Sequence, residues 1–509
     1  MAAWTDTMDG VFKGAAEDPR EDTGLLALAD AAQEDANELA EVIRIQVRLR
    51  KLSRSDKNRQ ALLARLKALY EIVFPSIFVA LGEQGIEDAT IEETKFANMD
   101  LRLLYLPGVK FLYRPNFSGS QLGLADLTGA EFLESRRCGR GYLEGGIFRE
   151  ADLRGARLIA AKSTCCIVFE KACLDCALFM EASIGGGYFN KAQCNRTDFS
   201  DAQLDDSDFD KAVCLGAIFE DASCRSVSFR ATKLAKTDFS RTNLQGAELQ
   251  RASLPEATLT QAVLVGTDFE NADLEGADLS FAQTRSLETY RDEDEQCSFK
   301  GAKLKNAKLF HIDLSHCAID FARFGGTNFT SAKLDGLQFG NDLPNCIFVG
   351  ASLVETSFEG LKLKGSNFQE AKLVRTDLRR ACLDECVAEG TNFSQARLLR
   401  GSFRNAKLAG SDLSRQDLQG ANFEGADLKR CDLSGADLFQ ANLTGADLRG
   451  AKVKGTSFEF VVFAGTDFRD TDLSEVVDLD FSSPGIITSK KAEKEEAKKE
   501  PQSKRKKKR

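Results

Sequence analysis

Residues Ser411–Gly450 read SDLSR QDLQG ANFEG ADLKR CDLSG ADLFQ ANLTG ADLRG, a run of five-residue blocks. The third place of each block is apolar: Leu413, Leu418, Phe423, Leu428, Leu433, Leu438, Leu443 and Leu448. Two places earlier stands a small residue, as at Ala421, Ala426, Cys431, Ala436, Ala441 and Ala446, and polar residues fill the rest. Neither a helix nor a flat strand holds one face at a period of five. A chain that turns a corner every five residues does. Alternate residues of a short extended segment point the same way. The apolar centre and the small residue therefore face the axis of a coil, and the other three places face solvent.

The period can be followed in both directions. Centres run Ile91, Phe96, Leu101, Leu106 and Phe111, slip by one residue to Phe117, Leu122, Leu127 and Phe132, and slip again to Cys138, Leu143, Phe148, Leu153 and Leu158. A further slip falls near Thr164, after which one frame holds from Phe169 to Phe339 except at Thr284, Thr289 and Asp294. It shifts back by one over 340–347, which contains Pro344, and continues to Leu473. Each slip marks a bulge or loop at a corner, because an extra residue must be extruded to keep the inner face inside.

This pattern resembles that of the pentapeptide-repeat family, Ala-Asp/Asn-Leu-x-x, over residues 91–481. The resemblance implies an all-β fold: a right-handed quadrilateral parallel β-helix with four pentapeptides per turn. The large centres agree with four sides. Phe169, Phe189, Phe209 and Phe229 recur every twenty residues, as do Phe179, Phe199, Phe219 and Phe239, which places the two sets on opposite walls. Smaller centres such as Leu174, Cys194, Cys214 and Leu234 lie between them, as filling a narrow tube at constant density requires. At twenty residues per turn the solenoid has about 19 turns and, with strands ~4.8 Å apart, a length on the order of 90 Å.

The composition fits one repeated geometric task. There are 36 Phe against 6 Tyr and 1 Trp, with 2 His, 8 Pro and 4 Met. Of the 14 Cys, nine fall on inward places and act as small hydrophobes. Cys165, Cys166, Cys173 and Cys176 include one Cys-x-x-Cys but no second pair at zinc-finger spacing. His311 and His316 sit on outward corners of different walls, and Gly185–Gly187 lacks the helix and Lys of a phosphate loop. Asp427, Asp437 and Asp447 occupy the family's Asp/Asn place, where a carboxylate can bond to backbone at the corner. No catalytic, metal or cofactor site is expected, and the chain reads as a non-enzyme.

The organisation expected is a disordered N-terminus (1–22), a small α-helical region (23–88), the β-helix (89–482) and a disordered basic tail (483–509). Within 23–88, residues 24–52 and 57–74 read as helices, with Pro75 ending the second and the run Ile72–Leu81 folding over the first coil. Leu62, Leu66 and Leu69 form an apolar stripe that either caps the coil or docks a partner. Residues 283–296 (QTRSLETYRDEDEQ) read as a charged loop, with Tyr290 a candidate contact. The tail ends in six basic residues, Lys504, Arg505, Lys506, Lys507, Lys508 and Arg509, a pattern of nuclear localisation or weak nucleic-acid contact, or a solubilising tail. Of the net charge of -10, the last twenty residues carry +7 and residues 1–90 carry -5, leaving -12 for 91–489.

No apolar run is long enough to cross a membrane and Met1–Arg20 is not a signal segment, so the expected location is intracellular, cytoplasmic, or nuclear in a eukaryotic cell. The function read from the sequence is a scaffold or adaptor that binds other proteins, with homo-oligomers through the helices or the solenoid ends as a further option. Two alternatives are a DNA mimic acting on a type II topoisomerase, which the family resemblance suggests, and a bacterial effector or targeting module. Less than one net negative charge per turn, against one per ~1.7 Å in B-DNA, weighs against mimicry. The inward assignment of the centres predicts that Phe209→Asp costs several kcal/mol by burying an unpaired charge. An unchanged melting temperature in that variant would refute the assignment.

Overall fold

The computed structural model describes residues 6–17, 22–33, 37–53, 56–81, 84–87, 89–91, 96–111, 115–118, 120–132, 144–163, 166–285, 296–479 and 486–488. They divide into two compact units, Met1–Asp273 with Arg285–Cys297, and Leu274–Thr284 with Ser298–Arg509.

In the first unit the pentapeptide Asp198–Ala202 shows how one side of the coil is made. The N–H of Asp198 donates to Ala177 O of the preceding turn (3.0 Å), and those of Phe199 and Asp201 donate to Ile218 O (2.7 Å) and Glu220 O (3.0 Å) of the next. Ala202 N–H closes the corner onto Phe199 O at 3.1 Å. The fifth donor, Ser200 N–H, is satisfied by the Asp198 side chain at 2.9 Å. All five backbone donors have partners, as buried backbone requires. The corner needs a left-handed residue two places after the centre, seen at Asp201 with φ 58°.

Parallel bridges link residues twenty apart, as in Gln193↔Val213, Val213↔Lys233 and Lys233↔Ser253. Inside, Phe169, Phe189, Phe209 and Phe229 stack with centroids 4.9, 4.3 and 5.1 Å apart. The opposite set meets them edge-on, Phe199 lying 5.7 Å from Phe209 at 88°. Threonines at the small place add a tie between turns: Thr197 Oγ1 donates to Leu174 O at 2.7 Å and Thr232 Oγ1 to Phe209 O at 2.7 Å. Cys194, Cys214 and Cys224 are fully buried in the same tube.

One expected slip is a much larger insertion. Asn116 pairs with Ile147, Gln121 with Asp152 and Asp126 with Arg157, 31 residues apart where the adjacent turns of this unit take 20 or 21. A single side thus runs from Phe132 to Phe148, and both are buried centres. Cys138 and Leu143, expected as centres, lie outside the described residues. The slip near Thr164 does add one residue, since Lys162 pairs with Ser183.

The helical part differs more. Helix α1 (Asp6–Glu17) occupies a stretch expected to be disordered, because Met8, Phe12, Ala15 and Ala16 form a buried stripe. The expected helix over 24–52 is two, α2 (Asp22–Ala32) and α3 (Asn37–Lys51). α4 (Lys57–Val73) is N-capped by Asp56, which accepts from Asn58 N–H at 2.8 Å. Pro75 does follow the end of α4, but it also opens a new helix, α5 (Pro75–Leu81), at the first position, where its missing N–H costs nothing.

α5 packs against the first strand, β1 (Thr90–Ile91), while α1, α2 and α3 clad the side of the coil. Leu103 and Leu124, on one outward corner of successive turns, belong to the helices' own core. A Cβ at Gly123 would lie 2.2 Å from the Phe12 ring, and one at Gly155 3.0 Å from Ala16 Cα. Arg154 lies over the Phe12 ring at 5.7 Å.

In the second unit the same ladder holds, with Asp412↔Asp432 and Asn422↔Asn442 twenty apart. Asp278 pairs with Lys308, a spacing of 30, so two pentapeptides leave the coil there. Thr284, grouped with the loop on sequence grounds, is a buried centre whose Oγ1 donates to Asp313 O. At the phase break Lys333 pairs with Ser352, 19 apart, and Leu343 is the buried centre of a four-residue side. Ile487, placed by sequence in a disordered tail, bridges to Asp467.

Two outcomes follow from this packing. Gly123→Val overpacks the corner beneath Phe12, a change worth about 1–3 kcal/mol, and should speed amide exchange across α1 while the turns from Phe169 to Phe239 stay protected. Unchanged exchange in α1 would mean that the contact does not hold it. Burial pushes the Cys386 thiol up to about 12 and raises that of Cys224. Iodoacetamide, read per residue by mass spectrometry, should therefore leave Cys194, Cys214, Cys224 and Cys386 unlabelled until the chain is unfolded. Labelling of these four in native protein would contradict the tube.

Candidate interaction surfaces

The helical layer is fixed to the coil through two polar clusters. Arg59, on α4, binds the Glu87 carboxylate, donates to Leu49 O at 2.8 Å and Leu52 O at 2.6 Å, and reaches Tyr105 Oη at 3.3 Å. Tyr70 Oη donates to Tyr105 O at 2.8 Å and accepts Tyr105 N–H at 2.6 Å. Burial raises both phenols well above their ordinary range, so they act as neutral hydrogen-bonding struts. In the second cluster Asp126 sits between Arg50 of α3 (3.6 Å) and Arg157 of the coil (3.4 Å). Burial lowers the Arg50 guanidinium from its usual value and Asp126 works against that shift.

Of the sequence-selected residues, Leu66 and Leu69 are buried inside this layer and Leu62 is half-buried. Burial assigns Leu66 and Leu69 to packing, which takes them out of reach of a partner. Tyr290 and the tail residues Lys504, Arg505, Lys506, Lys507, Lys508 and Arg509 lie outside the described residues. The apolar residues at outward corners, Leu103 and Leu124, were the legible sign that something covers this side.

Outward carboxylates are mostly engaged. Asp427, Asp437 and Asp447 accept the N–H two places on, at 3.2, 3.0 and 3.2 Å. The Arg449 hydrogen bond holds the Asp447 carboxyl down to about 2, with Lys429 adding to it. Ion pairs also join neighbouring turns, as in Arg241–Asp221 (2.7 Å), Lys333–Asp313 (3.3 Å) and Arg404–Glu424 (3.3 Å). His311 and His316 are exposed on different corners, and His311 stacks on Phe281 at 4.7 Å. Among the described residues no three His, Cys, Asp or Glu side chains converge as a metal site, and no helix is long and apolar enough to cross a membrane.

The surfaces left open are the corners and outer walls away from the helices. They include the exposed aromatics Phe281, Phe321 and Phe460, and an arginine-rich wall around Arg397. Charges twenty residues apart become neighbours only through the turn, so that wall is not visible as a run in the sequence.

The chain is similar to solved structures of the same type. QnrB1, a plasmid-mediated fluoroquinolone resistance protein, is 20% identical over 40% of this chain and 89% of its own, with a TM-score of 0.19. HetL, a pentapeptide repeat protein involved in heterocyst differentiation regulation from the cyanobacterium Nostoc sp. strain PCC 7120, is 25% identical over 54% of this chain and 89% of its own, with a TM-score of 0.15. A pentapeptide repeat protein from the Arabidopsis thaliana thylakoid lumen is 31% identical over 25% of this chain and 72% of its own, with a TM-score of 0.09. No curated protein matches the chain. The model of the family described as pentapeptide repeats matches residues 188–283, 297–336 and 340–477, more than half of the sequence. With its five-residue sides, Asx corners and stacked centres, the chain belongs to the pentapeptide-repeat family.

Proposed function

We propose that this protein is a non-enzymatic scaffold that binds other proteins through the outer walls and corners of its coil. The observation that carries the reading is the division of labour within each pentapeptide. Inward places are closed by packing, the Asx place by the corner, and the two corner places are left to vary. In Asp198–Ala202 these are Ser200 and Asp201, whose backbone N–H groups complete the corner and the ladder while the side chains point outward, with the left-handed φ of Asp201 disfavouring β-branched residues. Exposed aromatic and arginine side chains at such places, Phe321 and Arg400 among them, supply the residue types that dominate protein interfaces. The helical layer takes the corner at Leu103 and Leu124 and the adjoining wall at Tyr105 and Asp126 out of this role.

The charge pattern argues against a topoisomerase-directed DNA mimic. Carboxylates that would form an acidic stripe are paired across turns with Arg or Lys, as at Asp221, Glu355 and Glu424. Two measurements test the scaffold. Full-length chain purified natively from its host should retain protein partners in stoichiometric amount, with cross-links mapping to corner residues; a chain recovered alone from every preparation overturns the proposal. Micromolar protein should leave gyrase supercoiling unchanged, and inhibition or protection would restore the mimic.

A further inference from the structure

On one wall of the second unit Asp377 bridges to Arg397 in the next turn. Arg380 N–H donates to Leu399 O at 2.9 Å, which sets the corner residues Arg380 and Arg400 one turn apart. At the wall's other corner Arg375 N–H donates to Gln395 O at 2.9 Å, and Arg415 occupies that corner one turn beyond Gln395. The corner arginines share the left-handed conformation, with φ of 55° to 58°. Arg375, Arg379, Arg380, Arg397, Arg400 and Arg415 thus gather on one face within three successive turns.

Two of the six are neutralised by ion pairs, and Arg397 faces Asp377 closely enough to help hold its carboxyl low. Arg375 pairs with Glu355, and Arg379 pairs with Asp377 at 2.5 Å and Glu359 at 3.0 Å. Arg380, Arg397, Arg400 and Arg415 are exposed, and among the described residues none makes an ion pair within 4.0 Å. Elsewhere charges in adjacent turns pair with opposite sign at several corners, as at Asp221 and Arg241 or Arg404 and Glu424, while a lysine column of Lys171, Lys191 and Lys211 repeats one sign in the other unit. The Arg400 and Arg415 stems are also directed: Cγ lies 3.4 Å from the Cβ site of Gly420 and 3.7 Å from that of Gly435, each in the following turn.

The size of the face selects its partner. Three turns at ~4.8 Å cover roughly 10 Å along the axis. Glu355 and Glu359 lie in the turn before it, and Asp417 and Asp437 close the other side. A nucleic-acid backbone long enough to gain affinity from counterion release would run its phosphates over those carboxylates. A polypeptide rising about 3.3 Å per residue places three or four side chains within the basic area. Arginine forks match carboxylates in bidentate fashion. We propose that this face docks a short acidic segment of a partner protein.

The proposal deepens the scaffold reading and rests on it. Its test reads the face itself, so that failure here is distinct from failure to recover partners. The probe is a fluorescein-labelled hexaglutamate peptide, titrated by anisotropy against full-length protein at low salt. Binding should weaken with added salt and fall about tenfold or more in the triple variant Arg380→Glu, Arg397→Glu, Arg400→Glu. All three side chains are exposed, so its melting temperature should stay near that of the parent. Lys191→Glu with Lys211→Glu, on a corner of the other unit, should bind as the parent does. The basic tail is the competing site, and serine replacement of Lys504–Arg509 measures it. The proposal is overturned by absent binding, by binding that falls only in the tail variant, or by a hexanucleotide held on the face more tightly than the peptide.

Discussion

Everything in this coil depends on satisfying five backbone N–H groups per side with only four backbone acceptors in position. Two donors point to the next turn, one to the preceding turn and one closes the corner. The remaining donor, one place after the centre, faces the corner where no carbonyl comes within reach, and an Asp or Asn side chain takes it. That requirement accounts for the acidic or amide residue before many centres, and where Ser223, Ser228 or Ser402 stands there an aspartate of the preceding turn takes the donor, as Asp205 does for Arg225 N–H, Asp210 for Arg230 N–H and Asp384 for Arg404 N–H. It also gives many carboxylates in this sequence a structural duty: they are pieces of backbone structure supplied by side chains.

The inner face answers to a second constraint, constant density in a narrow tube. Phenylalanines from opposite walls meet edge to face and stack along each wall, so four smaller centres per two turns must fill the space between. The place two before each centre is mostly small, with Ala, Ser, Thr and Cys all occurring there, and Leu104, Ile312 and Leu337 are buried at it where the tube has room. Threonine adds a hydrogen bond to a carbonyl that already accepts the corner N–H: Phe209 O takes both Ala212 N–H and Thr232 Oγ1. Cys431 Sγ does the same toward Leu408 O at 2.8 Å. Because pairing is renewed at each turn, sides of four or sixteen residues interrupt the coil without changing the register of the turns that follow. Extruding a longer loop adds only the slowly growing closure entropy of a flexible segment.

Most of the coil was legible because its rules act within five residues or at multiples of twenty. Wall assignment of the phenylalanines, the Asx corners and the one-residue slips near Phe111 and Thr164 all follow from counting. The insertion after Phe132 did not, since Cys138 and Leu143 happen to satisfy the spacing, and only pairing of Asn116 with Ile147 distinguishes a long excursion from a short slip. Helix α1 escaped for a related reason. Its stripe of Met8, Phe12, Ala15 and Ala16 is short, and it becomes stabilising only against Leu103 and Leu124, a hundred residues away. Leu66 shows the converse: helical periodicity identifies a buried face correctly but does not say whether a foreign partner or the same chain buries it.

The arginine wall illustrates how function can be written on such a fold without disturbing it. A charge placed two residues after a centre sits in a left-handed corner whose backbone donor already reaches the next turn, so its side chain is free of structural duty. Where successive turns alternate sign, as Arg241 over Asp221, the surface neutralises itself. Where they repeat it, as Arg380 followed by Arg400, like charges are held about 5 Å apart by the ladder, and the repulsion is tolerated because the backbone bonds are not theirs to break. The field such a column projects is therefore set by the coil and not by the arginines' own preference. A segment bearing carboxylates at strand-like spacing meets a rigid template, and it loses entropy on one side of the interface only.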